Sequence, residues 1–414
     1  MRILWITNIL LPPLAKELNM PIPVVGGWMY SSLKNILKKD QGNQFAVATI
    51  WSGDSFKHLI IDKIDYYLLP LNHKSRNRYN PQLEKYWEKI NSDYNPDVVH
   101  IHGSEFPHGL AFVNGCGGEN TVVSIQGLVS QYANHYFGGI DIKNIIHNIT
   151  PKDILMGGLI RGKKDFSKRG EYELELLRKV RNIIGRTPWD KAHAWAINSN
   201  ADYFHVGETL RDPFYNHRWN YKNCIPYSIF VSQASYPIKG LHKLLEAMPI
   251  VCERFPQTTL YIAGPNIIDV PWYKESGYSK YLKKLIRKHG LSEKIIFTGP
   301  LDEDQICKRY LESNLFICCS CIENSPNSLG EAQMLGMPIL ASYVGGVPEI
   351  VNNDPGILYR YEETEMLAKM ICDIFSQGER YRVPYTNLDR YNPSINTNEL
   401  MACYKDIAMR NKQG

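Results

Sequence analysis

The sequence predicts an α/β fold in two domains, with parallel sheets covered by helices. Three observations carry that expectation. Strand-like runs alternate with helical patterns along the chain, the arrangement of parallel strands joined by helical crossovers. The 414 residues exceed the length at which one hydrophobic core stops growing. Hydrophobic residues at 44% and charged residues at 21% suit folded cores beneath a polar exterior.

In the first half, the expected strands are Ile3–Thr7, Phe45–Thr49, Val98–His102, Val122–Gln126 and Tyr203–Val206. In the second half they are Ser228–Val231, Thr259–Ala263, Lys294–Thr298, Leu315–Cys319 and Pro338–Ser342. Helical patterns follow several of them, as at Lys239–Phe255 and Tyr278–His289. The pattern breaks at Trp219-Asn-Tyr-Lys-Asn-Cys-Ile-Pro226, which puts a hinge near Asn216–Pro226. The expected domains are residues 1–222 and 223–395, followed by a tail, 396–414, in which Thr397–Ile407 reads as an amphipathic helix.

The formal charge of +5 suits anionic ligands or an anionic membrane surface and is too weak to imply nucleic acid. Nine cysteines at irregular spacing do not form a disulfide framework. Cys318, Cys319 and Cys321 invite a metal reading, but their apolar context reads as a buried strand and no second ligand pair follows. No metal is expected. The chain opens on a strand rather than a leader, and no segment approaches ~18 uncharged apolar residues. A reducing, cytoplasmic location is expected.

The most informative stretch is Cys321-Ile-Glu-Asn-Ser-Pro-Asn-Ser-Leu-Gly-Glu-Ala-Gln-Met-Leu-Gly-Met-Pro338. Glu323 and Glu331 stand eight residues apart, and at about 100° per residue an unbroken helix would leave them roughly 80° apart. Pro326 argues that the helix starts between them, with Glu323 in the preceding loop and Glu331 in the first turn. Free N–H groups at Asn327, Ser328 and Leu329 would then favour phosphate, and the carboxylates could accept hydrogen bonds from sugar hydroxyls. Ser328 and Glu331 also fit a Ser-x-x-Glu capping box, which needs no ligand. Both readings of Glu331 stand; a capping box does not account for Glu323.

Glu-x7-Glu after a strand, then Gly-x-Pro-Ile-Leu-Ala-Ser and Gly345-Gly346-Val347-Pro348-Glu349-Ile350, resembles the donor half of glycosyltransferase family 4. The resemblance is strong over roughly residues 228–350 and looser before them. It implies the GT-B fold, two Rossmann-like domains facing a central cleft, with a last helix returning to the first domain. It also implies a retaining enzyme that uses a nucleotide-diphosphate sugar, UDP- or GDP-linked, and neither metal nor cofactor.

Carried onto this sequence, the pattern places Gly26 and Gly27 at a helix start facing the donor, where glycine lets backbone approach a phosphate. It places Lys239 on the departing diphosphate, Glu323 on the donor sugar and Glu331 on the ribose. Gly264 joins the same donor set. Two positions depart from the family. Gln233 stands where an arginine is expected, and Gln126 where many relatives have a histidine. Glutamine donates a hydrogen bond but carries no charge and cannot act as a base. Arg186, in a turn-like cluster before Trp189 and Asp190, is the candidate for the missing charge, against an ion pair with Asp190 or capping by it. His102, at a strand's C-terminal end, is the acceptor or sugar candidate.

The sequence expectation is sugar transfer to a glycan or polyprenyl-linked acceptor in cell-surface polysaccharide synthesis. A non-catalytic binding scaffold is the alternative that Gln126 and Gln233 motivate. The basic run Arg161–Arg169 after apolar Ile154–Ile160 reads most simply as a solvated face, with peripheral docking on anionic lipid as the other reading.

Overall fold

The computed structural model describes residues 1–23, 26–39, 42–72, 75–381 and 388–412. The chain forms two compact units. Unit 1 comprises Met1–Ala133, Asp165–Thr209 and Asp389–Gly414; unit 2 comprises Asn134–Lys164 and Leu210–Leu388. The division is therefore not one break near residue 222 and another at 395. Residues 216–226 lie inside unit 2, where the Trp219 backbone N–H donates to the Leu335 carbonyl at 2.8 Å. Its indole N–H donates to the Ser313 carbonyl at 2.7 Å. These bonds fix the segment that reads as a hinge in sequence.

Among the described residues, unit 1 is built on one sheet. Its strands are β1 (Arg2–Thr7), β2 (Gln44–Trp51), β3 (Lys57–Ile61), β4 (Ile64–Pro70), β5 (Val98–His102), β6 (Thr121–Ser124), β7 (Asn182–Gly185) and β8 (Asp202–His205), in the order β3-β4-β2-β1-β5-β6-β7-β8. All neighbours are parallel except β3 and β4, a hairpin turned through Asp62 and Lys63 at φ 50° and 66°. Alternation decides which side chain faces which layer. Leu4, Ile6, Ala46, Ala48, Val99, Ile101 and Val123 enter one core, and Ile3, Trp5, Phe45, Val47, Val98 and Val122 the other. Both faces are covered, as parallel sheets require. The helix Pro393–Asn411 covers the second face with Leu400, Met401, Tyr404 and Ile407, and Tyr404 accepts the Trp5 indole N–H at 3.0 Å.

Unit 2 repeats the plan with β9 (Ile225–Val231), β10 (Thr259–Ile262), β11 (Ile295–Phe297), β12 (Ser313–Cys318), β13 (Ile339–Ser342) and β14 (Leu358–Tyr359). Their order is β11-β10-β9-β12-β13-β14, all parallel. Ile229, Val231, Leu260, Ile262, Leu315 and Ile317 pack into one layer; Phe230, Phe316, Cys318, Ile339 and Ala341 pack into the opposite one. The segment 134–164 belongs here because Ile140 and Ile145 join that first layer. His242 Nε2 also lies 2.8 Å from the Gly138 carbonyl oxygen.

Several expected strands shift at their ends. β6 stops at Ser124, which leaves Gln126 in a loop, and β12 stops at Cys318, which leaves Cys319 and Cys321 beyond it. All three cysteines are buried and free. The Asn182–Gly185 stretch is a fully buried strand rather than a turn. In each sheet the strand order reverses once, between β1 and β5 and between β9 and β12. Ligands of open α/β sheets bind beyond the strand C-termini at such a reversal.

Candidate donor-binding site

The loops after β9 and β12 leave the sheet of unit 2 at its reversal, and they carry Lys239 and Glu323. After β9 the chain runs to a short 3₁₀ turn, Pro237–Lys239, and only then to the helix Leu241–Arg254. Lys239 thus precedes the helix that it is expected to open. Gly240 links the two at φ 70°, and a Cβ there would stand 1.7 Å from the Cys319 carbonyl oxygen. Only glycine permits that approach. The Cys321 N–H donates to the Ile238 carbonyl at 2.8 Å and ties the two loops together.

Across this joint the Lys239 ammonium donates to Glu323 Oε1. The Ser320 hydroxyl donates to the same oxygen at 2.7 Å. Burial works against the Lys239 charge, but the Glu323 carboxylate more than offsets it and raises the ammonium pKa. Glu323 is held from behind by the glycine pair of the third motif. The Gly346 N–H donates to its carbonyl at 3.0 Å, and a Cβ on Gly345, at φ 52°, would come within 1.9 Å of that oxygen.

The helix Asn327–Leu335 begins after Pro326, and no side chain caps it. Ser328 and Glu331 therefore do not form the capping box, because Glu331 is the fifth helical residue and lies beyond the first turn. Its carboxylate instead takes two hydrogen bonds from Arg211, Nε to Oε1 and Nη2 to Oε2, both at 2.7 Å. Burial pushes the Glu331 carboxyl up against the pull of Arg211. The guanidinium is held charged more firmly than usual, because Glu331 more than offsets its own burial. The bidentate geometry keeps the pair ionic. The Tyr310 hydroxyl also reaches this carboxylate. A carboxylate has about four lone-pair sites, so about one remains for a ligand hydroxyl.

At the same helix start the Leu329 N–H donates to the Pro326 carbonyl at 3.0 Å. The Leu329 amide is thus engaged within the protein. Asn327 Oδ1 is buried without a hydrogen-bond partner in the protein, an acceptor placed at a helix start. Gly264 takes φ 104° just past β10, with open space where a Cβ would project. Gln233 is exposed.

Unit 1 gathers the other expected residues at the C-terminal ends of its own central strands. Gly26 takes φ 76°, and Gly27 begins the helix Gly27–Lys39; Val24 and Val25 before them lie outside the described residues. That helix brings Trp28 to 6.0 Å from the His102 ring and 5.4 Å from the Arg186 guanidinium. Arg186 Nη1 donates to Gln126 Oε1 at 3.0 Å, and Nη2 lies 3.5 Å from Glu208 Oε1. Asp190 does not pair with the guanidinium. It completes a capping box with Thr187 and accepts the Arg186 backbone N–H at 2.8 Å. Arg186 thus belongs to unit 1 with its charge met by Glu208, whereas Gln233 belongs to unit 2. His102 is buried, with its ring 3.8 Å from that of His100 and 4.2 Å from that of Trp5, and neither ring nitrogen has a hydrogen-bond partner. Burial, then the neighbouring His100 and Arg186, holds it neutral.

With this geometry in place, residues 220–388 match the family described as glycosyl transferases group 1. Over those residues the chain is similar to a group 1 glycosyl transferase domain. Spore coat protein SA of Bacillus subtilis is 26% identical to the chain over 156 residues, 37% of this chain and 40% of that protein. The chain spans less than half the length of the curated relatives it matches. Sucrose-phosphate synthase from Thermosynechococcus elongatus superposes with a TM-score of 0.64 at 14% identity, covering 100% of this chain and 98% of that one. Anabaena HepE in complex with UDP-glucose superposes with a TM-score of 0.60 at 14% identity, covering 100% of both chains. The fold is GT-B.

Two residues beside these sites escape a reading of the sequence. Arg211 precedes the matched residues and meets Glu331 across 120 positions, with no spacing to announce it. Glu105, in unit 1, has a buried Oε2 without a hydrogen-bond partner, and burial, with Glu173 nearby, pushes its carboxyl up to about 7. Among the described residues no group of three or more His, Cys, Asp or Glu could hold a metal ion.

Proposed function

We propose that this protein transfers a sugar, with retained anomeric configuration, from a UDP- or GDP-linked donor to a hydroxyl of a glycan or lipid-linked glycan in cell-surface polysaccharide synthesis. The observation that carries this reading is the pairing of Lys239 with Glu323 at the strand-order reversal of unit 2, beside an uncapped helix start. A diphosphate offers the Lys239 ammonium a second anion, and the amides of Asn327 and Ser328 two donors. As the ammonium turns to phosphate, Glu323 is released toward sugar hydroxyls. Arg211 fixes Glu331 so that its remaining lone pair meets the ribose. The UDP-glucose bound by HepE, a protein of the same fold, supports this donor class.

In the reaction the bond from the anomeric carbon to the diphosphate oxygen breaks, and the electron pair leaves with the diphosphate. The acceptor oxygen bonds to the same carbon on the same face, and its proton passes to the leaving phosphate. Lys239 and the helix amides stabilise the charge that develops on the diphosphate. Within unit 1, Gly26 and Gly27 leave a helix start without side chains, and His102 and Gln126 stand at the strand C-termini where open α/β sheets take ligands. Arg186 holds Gln126 through its Nη1 while its Nη2 faces Glu208.

The exposed, uncharged Gln233 favours one other reading, a binding scaffold that does not turn over. Incubation with UDP- and GDP-hexoses and a glycan acceptor separates the two. The transferase releases nucleoside diphosphate in step with product, and the product's anomeric proton coupling matches that of the donor. Saturable nucleotide binding without any release would leave the scaffold.

A further inference from the structure

We propose that unit 2 carries a docking surface for an anionic lipid bilayer, formed by the helix Pro151–Met156, the first turn of the helix Gly158–Lys179 and the turn Trp272–Lys274. Ile154, Leu155 and Met156 are exposed by 76%, 82% and 66%, three consecutive apolar side chains in water. Trp272 and Tyr273 are exposed by 72% and 57%. Single exposed apolar residues are ordinary; a contiguous set marks an interaction surface.

The segments are locked together rather than frayed. The Lys152 ammonium donates to the Lys274 carbonyl at 3.0 Å, and the Thr150 hydroxyl to the Glu275 carbonyl at 2.7 Å. Thr150 and Asp153 close a capping box, and Gly157 ends the short helix at φ 88°. A Cβ on Gly277 would meet Asp153 Oδ2 at 2.7 Å, so the two segments approach as closely as glycine allows. This frame holds the apolar tip outward.

Charge selects the occupant. Lys143, Lys152, Arg161, Lys164 and Lys274 stand on these same segments or beside them. Of the acids among them, three are engaged within the protein, and Asp165, beside Lys164, offsets one positive charge. Asp141 accepts the Lys143 backbone N–H at 2.7 Å, Asp153 serves the capping box, and Glu275 pairs with Lys283 at 2.7 Å. What faces outward is an aliphatic tip, a Trp-Tyr pair and a basic rim. Anionic headgroups satisfy the rim while the acyl boundary takes the tip, and indole and phenol rings settle at that boundary. Among the described residues no helix is long and apolar enough to cross a membrane, so the contact is peripheral. The surface includes none of Lys239, Glu323, Arg211 or Glu331, and it stands or falls apart from the donor site.

Flotation of the full chain with phosphatidylcholine vesicles, with and without phosphatidylglycerol, tests the proposal. The protein floats with the anionic vesicles at least about tenfold more strongly than with neutral ones, and raised salt releases it. Ile154→Asp combined with Leu155→Asp lowers that binding at least about tenfold, because both apolar side chains leave the bilayer. Both residues are exposed, so the melting temperature and any nucleotide-induced shift stay as in the parent. Equal flotation of parent and variant, or none with anionic vesicles, would overturn the proposal. So would a concentration-dependent dimer in light scattering that the same substitutions abolish, since a second copy would then fill the surface.

Discussion

Arg211→Ala lowers the stability of the protein by about 3–5 kcal/mol, the cost of stranding one member of a buried ion pair. Both side chains are largely shielded, at 16% and 4% exposure, and the guanidinium supplies two bonds and the only charge opposite the carboxylate, beside the Tyr310 hydroxyl. The pH dependence identifies the cause. Without Arg211, burial holds the Glu331 carboxyl above its unfolded value, so the folded state binds a proton that the unfolded state has released. The variant is therefore least impaired below the usual carboxylate range, and it loses stability as pH rises through the raised value. Denaturant unfolding at several pH values measures this, and adding Glu331→Gln removes the pH dependence. A loss below about 1 kcal/mol, or one independent of pH, would show that the pair does not hold the helix start in place.

Lys239→Ala lowers kcat/KM for sugar transfer by about 10²–10³-fold, the scale of losing a fixed electrostatic contact to a developing anion. The same substitution leaves Glu323 without its cation, so a stability loss accompanies it, and the two effects must be separated. Affinity for the nucleoside alone separates them. If Lys239 acts on the diphosphate, UDP or GDP binding weakens while uridine or guanosine binding holds. A parallel fall in both would mean that the lysine only builds the loop.

Much of the fold is legible in sequence because buried parallel strands are continuous apolar runs, as at Ile3–Ile6 and Leu315–Cys318. Four strands escape for physical reasons. β4 breaks its apolar run with Asp65 and closes on Pro70. β3 is a half-exposed edge of mixed polarity, β7 is four residues long and ends in glycine before a Thr-Pro helix start, and β14 is two residues long. The excursion of residues 134–164 into unit 2 is invisible because a few isolated contacts carry it, such as Ile145 in the core and His242 at the Gly138 carbonyl. Of the donor site, Glu323, Glu331 and the glycines of the third motif are legible because a loop, a helix start and a close backbone approach each demand particular residues. What each carboxylate binds is not. The partners Lys239 and Arg211 lie 84 and 120 positions away, and only the folded sheet brings them in. The fit of Ser328 and Glu331 to a capping box shows the limit of spacing alone, since a long-range arginine outcompetes the local backbone.

The central claim is that the reversal point of unit 2 binds a nucleotide diphosphate sugar through Lys239, Glu323 and the Asn327–Leu335 helix start. Thermal unfolding of the purified protein with UDP, GDP and ADP and their common sugar conjugates, without added metal, tests it most directly. A ligand at 100 times its Kd that binds only the folded state adds about 2.7 kcal/mol, a readily visible rise in Tm. The account predicts such a rise for UDP or GDP and its conjugates, and its loss in Lys239→Ala. No shift with any nucleotide, or an equal shift in the variant, would contradict it.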